Sequence, residues 1–304
     1  MTTNDLRETS PMDKNRFGKI VRSLRLERFN EELGHPWRQE ELAQASGISL
    51  NTIRNIEQGR RATLQADELE QLANALALSP PETLEFFAVA SEATVHKAIP
   101  DHETSPVVDL FWQAATVRLP AYIVDPFSTL LAANGSMMAL GGYDLPTMDD
   151  YLSAPVGVNV MDMLFHPDAP IQQPQSERWR QVSITTLHFF RMTVLRFRYL
   201  PQFEILIDHL QGYSLFAELW RSSRTHAPAL RTLAPSYHYH HPAYGTLRYM
   251  RSFLTHYSDS WPHYMLVLLP LDAHTGDIFH QLDWQEDYQW YNPRPFVPAE
   301  GEFQ

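Results

Sequence analysis

Apolar positions fall at helical spacing through the first part of this chain, return to it in the middle, and give way to strand-like runs near the end. Phe17, Ile20, Val21, Leu24 and Leu26 predict a helix from about Asn15 to Phe29. Residues 39–46 (QEELAQAS) are good helix formers, with Leu42, Ala43 and Ser46 on a narrow face that can lie close to another helix. Gly47 suits the positive φ that ends a helix, Ile48 supplies an apolar plug, and Ser49 can accept from the free amides of a second helix starting near Leu50. Along that helix Ile53 and Ile56 point inward. Leu64, Leu69, Leu72, Ala73, Leu76 and Leu78 carry the helical spacing on, and Ser79-Pro80-Pro81 opens a further helix with Leu84, Phe86, Phe87 and Val89.

Residues 98–106 (AIPDHETSP) are polar, contain two prolines and break the pattern, so a domain boundary is placed there. A helix over 107–117 is followed by short strands at 121–124 (AYIV) and 129–132 (TLLA) around the turn Asp125-Pro126-Phe127-Ser128. Asn134 and Gly135 open a small helix that ends at Gly141 and Gly142. From Gln175 to Arg198 the spacing is again helical, with Trp179, Val182, Thr186, Phe189, Phe190, Thr193 and Phe197 on one face and Arg196 at its margin. Helices over 202–211 and 215–224 lead to strands at 236–240, 246–254 and 264–270, the last apolar enough for a sheet centre. The aromatic, proline-rich tail after Gln285 is expected to lie over the surface. The resulting division is a disordered head (1–13), a helical domain (14–97), a linker (98–106), a mixed domain (107–285) and a tail (286–304).

Charge changes this picture locally. The whole chain has 24 Lys and Arg against 36 Asp and Glu, a net of −12, which argues against a general polyanion binder. From Lys14 to Arg61 the sign reverses, with ten basic and six acidic residues. There is no cysteine, which excludes disulfides, thiolate metal sites and cysteine nucleophiles and favours an intracellular protein. No stretch is long and apolar enough for a membrane span, and residues 1–15 lack the apolar run of a leader, so a cytoplasmic location is expected.

The pattern Q-E-E-L-A, G-I-S, I, I-E-x-G over residues 39–59 resembles the helix-turn-helix of the phage-repressor-like (XRE) regulators. The resemblance implies double-stranded DNA as a partner, read by two copies on a two-fold operator. It gives Leu50, Asn51, Arg54 and Asn55 the base edges and Gln39, Thr52, Arg60 and Arg61 the phosphates. Arg54 has the alternative of pairing with a neighbouring carboxylate such as Glu57 or with the exposed amide of Gln58. The link Asn30–Pro36 is longer than this family usually has, which leaves the docking of the first helix open.

The later half is similar to the ligand-binding domain of the MmyB-like transcription regulators. The shared features are the strand pair leading into Ala133-Asn134, the run Phe216-Ala-Glu-Leu-Trp220, and His241-Pro242 followed by Gly245 and a strand pair. The resemblance implies an α+β chain: an all-α DNA-binding domain, then a PAS-like sensor whose antiparallel sheet and helices enclose a small apolar ligand, with a fatty acid as the expected class. A buried carboxylate needs a cation or several donors, and Arg196 is the first choice, with Tyr249, His238 and His240 assisting and Trp179, Phe189, Phe190 and Phe197 lining the chain. His188 stands where a less polar helix residue is expected. No cofactor is called for, and no nucleophile motif, phosphate loop or paired carboxylates point to an enzyme. The competing readings are a histidine-based metal sensor built on His238 and His240, an enzyme, or a protein-interaction module, each joined to the DNA-binding domain.

Overall fold

The computed structural model describes residues 14–61, 64–91, 116–143, 145–167, 177–223, 236–258, 261–282 and 290–291. The expected head and linker, and the helix over 107–117 up to residue 115, fall outside the described residues. The chain divides into two compact units, Met1–Val95 with Leu195–Leu200, and His96–Val194 with Pro201–Gln304.

The described part of the first unit is helical: α1 (Lys14–Glu27), α2 (Gln39–Ser46), α3 (Leu50–Glu57), α4 (Ala66–Ala75) and α5 (Pro80–Ala90). Phe17, Ile20, Val21 and Leu24 of α1 pack with Leu42, Ile53, Ile56, Leu72 and Phe86 in one core. A Cβ on Gly18 would come within 2.4 Å of the Ile56 carbonyl, so glycine is what allows α1 to lie against α3. Gly47 ends α2 at φ 72°, and Ser49 caps α3 by accepting from the Thr52 amide, as the local sequence dictates.

The long link departs from the expected geometry in an informative way. The first helix stops at Glu27, and Phe29–Asn30 pairs with His35–Pro36 as a two-stranded hairpin, β1 and β2. The Asn30 side chain accepts from the amides of Glu32 and Leu33 and donates to Glu41. Arg25 donates to the Trp37 carbonyl at 2.5 Å, so the extra residues are tied to α1 and α2 instead of forming a loose loop.

The second unit is built on an antiparallel sheet. Its strands are β3 (Ala121–Val124), β4 (Leu130–Ala133), β5 (Ser236–His241), β6 (Gly245–Ser258), β7 (Trp261–Pro270) and β8 (Trp290–Tyr291), in the order β5-β6-β7-β3-β4-β8. Alternation along the central strands separates two buried faces: Tyr122, Val124, Leu130, Tyr264 and Leu266 on one, Ala121, Ile123, Leu131, Met265 and Val267 on the other. The helices are α6 (Gly135–Gly141), α7 (Leu145–Leu152), α8 (Val160–Phe165), α9 (Glu177–Val194), α10 (Pro201–Gln211), α11 (Ser214–Ser222) and α12 (Ala273–Leu282). The α7, α8 and α12 segments carry no expectation from the sequence. Within the tail, Trp290–Tyr291 pairs with Ala132 and Ala133 of β4, and the rest of it falls outside the described residues.

The motifs that marked this half have structural explanations. Asn134 caps α6 through the Met137 amide, accepts from Ala121 N, and donates to the carbonyls of Val117 and Leu119. In the 216–220 run Phe216, Leu219 and Trp220 are buried, and the Arg191 guanidinium lies 3.6 Å from the Trp220 ring centroid. His241 pairs with Gly245 to close the β5–β6 hairpin, where glycine meets a φ of 73°.

Candidate functional site

Two sites emerge, one in each unit. In the first, α3 presents a short polar row: Asn51 and Arg54 are exposed, while Leu50, Thr52 and Asn55 are half-buried. Arg54 Nη2 lies 3.1 Å from Glu40 Oε1, an exposed pair that a stronger partner can replace at little cost. The neighbouring carboxylate of the expectation is therefore Glu40 and not Glu57. Glu57 is engaged elsewhere: Arg25 Nε and Nη2 reach its two oxygens at 2.6 and 2.9 Å, and Gln39 Nε2 donates to it at 2.8 Å. This cluster ties α1, α2 and α3 together, with the half-buried Gln39 amide donating to Glu57. Arg61 binds both oxygens of Glu68, whereas Arg60 is exposed.

In the second unit the sheet, α6, α7, α8 and α9 line a cavity of about 520 Å³. That is within the usual range for small-molecule sites. Its apolar wall includes Leu130, Met137, Met138, Met148, Val160, Met163 and Leu268. The four methionines among them are unbranched and adaptable, which suits a flexible apolar guest. The polar wall gathers Tyr122, Tyr143, Tyr237, Tyr239, Tyr249, His238, His240, Thr186 and one cation, Arg251. Burial pushes the Tyr143, Tyr237, Tyr239 and Tyr249 phenols above their ordinary value, so they are neutral hydroxyls at neutral pH.

The residues expected to hold a ligand divide sharply. His238, His240 and Tyr249 line the cavity. Phe189 stands behind the wall, edge-on to Tyr264 at 5.5 Å, and Phe190 packs on Trp220 instead. The Trp179 side chain lies outside the described residues. Arg196 and Phe197 are corrections: both belong to the segment Leu195–Leu200 of the first unit, where Arg196 pairs with Glu85 at 2.6 Å. The helix expected to run to Arg198 ends at Val194 and tightens into a 3-10 turn, Leu195–Phe197, which takes these side chains off the face they were assigned to.

Arg251 was missed, although the signal was present. It sits two residues after Tyr249 on β6 and so shares the inward face that Tyr249 occupies. Among the described residues no group of three His, Asp or Glu converges to hold a metal ion. His188, which the sequence left without a role, is buried in α9.

Comparison with known families matches residues 16–86 to a helix-turn-helix domain. Residues 114–282 match the MmyB-like transcription regulator ligand binding domain. No curated protein matches the chain at a significant level.

Proposed function

The chain belongs to the MmyB-like transcription regulators, and from that premise we propose that it is a ligand-responsive, sequence-specific DNA-binding regulator of the phage-repressor-like type. Its second unit, in this reading, is a PAS-like sensor that holds a small, largely apolar molecule of the fatty-acid class. The observation that carries the ligand half is a cavity of about 520 Å³ whose described lining is mostly apolar and includes one arginine, Arg251. The strand order supports the sensor reading, since β3 to β7, counted in chain order, run third, fourth, fifth, first, second across the sheet.

On the DNA side, Leu50, Asn51, Arg54 and Asn55 face base edges in the major groove, with Gln39, Thr52, Arg60 and Arg61 on phosphates. The local excess of basic residues supplies this footprint on an acidic chain. Operator recognition uses two copies of the chain, and the protein works in the cytoplasm. Control is a population shift: a ligand that fits one sensor conformation better than another changes the operator affinity by that difference. The covalent path for this coupling is short. Helix α9 carries Val182 and Thr186 at the cavity and runs directly into Leu195–Leu200, which belong to the DNA-binding unit.

The test has two arms. Mass spectrometry of organic extracts from the purified full chain is expected to find a stoichiometric long-chain acid, and operator affinity is expected to differ between stripped and reloaded protein. Stoichiometric metal in place of lipid, or equal operator affinities, would remove the sensing half of the proposal.

A further inference from the structure

Arg251 is a half-buried cation for which the described residues supply no counter-charge. Its Nη1 lies 3.2 Å from Thr186 Oγ1 and 3.5 Å from the Tyr122 hydroxyl, both neutral oxygens. Its guanidinium carbon sits 5.5 Å from the Tyr237 ring centroid and 5.7 Å from that of Phe189. Among the described residues no Asp or Glu forms an ion pair with it. Arg251 lines the cavity and keeps part of its surface accessible. A guanidinium stays charged in a protein interior, and an unpaired buried charge is among the most costly arrangements a fold can hold.

The hydroxyls around it add to the imbalance. Thr186 and Tyr122 accept from Arg251, which leaves their own protons free to donate. The Tyr237 hydroxyl is buried without a partner in hydrogen-bond geometry, although Thr185 is close enough to affect its titration. Around Arg251 the cavity thus gathers donors and, among the described residues, no carboxylate to receive them, while Leu130, Met137, Met138, Met148, Val160 and Met163 make an apolar wall. Resting on the sensor reading above, we propose that this part of the cavity is the seat of a single ionised carboxylate. Arg251 is then the residue that selects acids over neutral lipids, and Tyr122, Thr186 and Tyr237 are its auxiliary donors.

One unit of positive charge fits a monoanion. Among the described residues of the cavity wall a phosphate head with two charges finds no second arginine or lysine, and His238 and His240 are the other titratable nitrogens there.

The proposal is tested by titrating delipidated full-length protein with laurate and with its methyl ester, which keeps the chain and removes the charge. Laurate is expected to bind about tenfold to a hundredfold more tightly than the ester, the range of a charge-assisted hydrogen bond. Arg251→Gln is expected to bring laurate down to the ester's affinity while leaving the ester nearly unchanged, and Arg251→Lys to restore part of the preference. Equal binding of acid and ester by the unaltered chain overturns the proposal without needing any variant, as does an intact preference in Arg251→Gln. If neither compound binds, the fatty-acid reading fails together with it, whereas tight binding of both leaves that reading standing and removes only the carboxylate seat.

Discussion

Arg196 Nη2 and Glu85 Oε2 lie 2.6 Å apart inside the DNA-binding unit, so the arginine that the sequence offers as a ligand anchor is instead a structural partner of α5. Both side chains keep some exposure, 21% and 30%, which limits the pair to about 1 kcal/mol of stability. Arg196→Ala is therefore expected to lower the unfolding midpoint slightly and to leave fatty-acid affinity unchanged. A titration of this variant that loses laurate binding would return Arg196 to the ligand site. Leu195→Ala removes a fully buried side chain from the core of the same unit and is expected to cost about 2–5 kcal/mol, read as a lowered denaturant midpoint.

Glu57 is the acceptor at the centre of the helix-turn-helix, meeting Arg25 and Gln39 with only 3% of its side chain exposed. Removing it leaves the Arg25 guanidinium buried and without its carboxylate. Glu57→Ala is expected to destabilise the DNA-binding unit by about 3–5 kcal/mol. Circular dichroism should show partial loss of helix at temperatures where the unaltered chain is folded, and operator binding should fall with it.

Base-reading and phosphate-reading residues make different signatures. Asn51→Ala is expected to weaken operator binding by about 1–3 kcal/mol while leaving affinity for unrelated DNA nearly constant. Arg60→Ala should instead weaken binding to all sequences and reduce the slope of log K against log salt by about 1. Gel-shift or anisotropy titrations across a salt series separate the two, and a uniform loss for Asn51→Ala would remove its base-reading role.

Asp125 gives stability a pH dependence. It is buried in the β3–β4 turn, and although the amides of Phe127 and Thr129 donate to its Oδ1, burial pushes its carboxyl from 3.8 up to about 7. Between those two values the folded state holds a proton that the unfolded state has released. Stability from this group is therefore full below about pH 4 and declines as pH rises towards 7, by on the order of 4 kcal/mol. Thermal melts of the unaltered chain should show a midpoint that falls between pH 5 and 8, with a flatter profile in Asp125→Asn. Identical profiles for the two proteins would show that Asp125 is ionised throughout.

Where local chemistry decides conformation, the sequence was sufficient. Gly47, Ser49 and the spacing of Ile53 and Ile56 specify the helix-turn-helix, because caps, left-handed glycines and helical faces act within a few residues of one another. The strands at 121–124 and 264–270 and the small helix after Asn134 were legible for the same reason, as alternation, apolar runs and caps are local signals. What only the tertiary structure decided is which long-range partners meet. Trp290–Tyr291 becomes a strand because β4 offers it an unpaired edge, and the hairpin at Phe29–Pro36 is held by Arg25 and Glu41 from outside it. Arg196 and Arg251 both sit among aromatic residues in the sequence, and the two-residue spacing of Arg251 from Tyr249 is the one local hint that separates them. A 3-10 turn carries the first into the core-packed segment of one unit, while sheet register turns the second into a cavity whose walls come from segments far apart in the chain. Charge placement of that kind depends on non-local burial, which no short window of residues encodes.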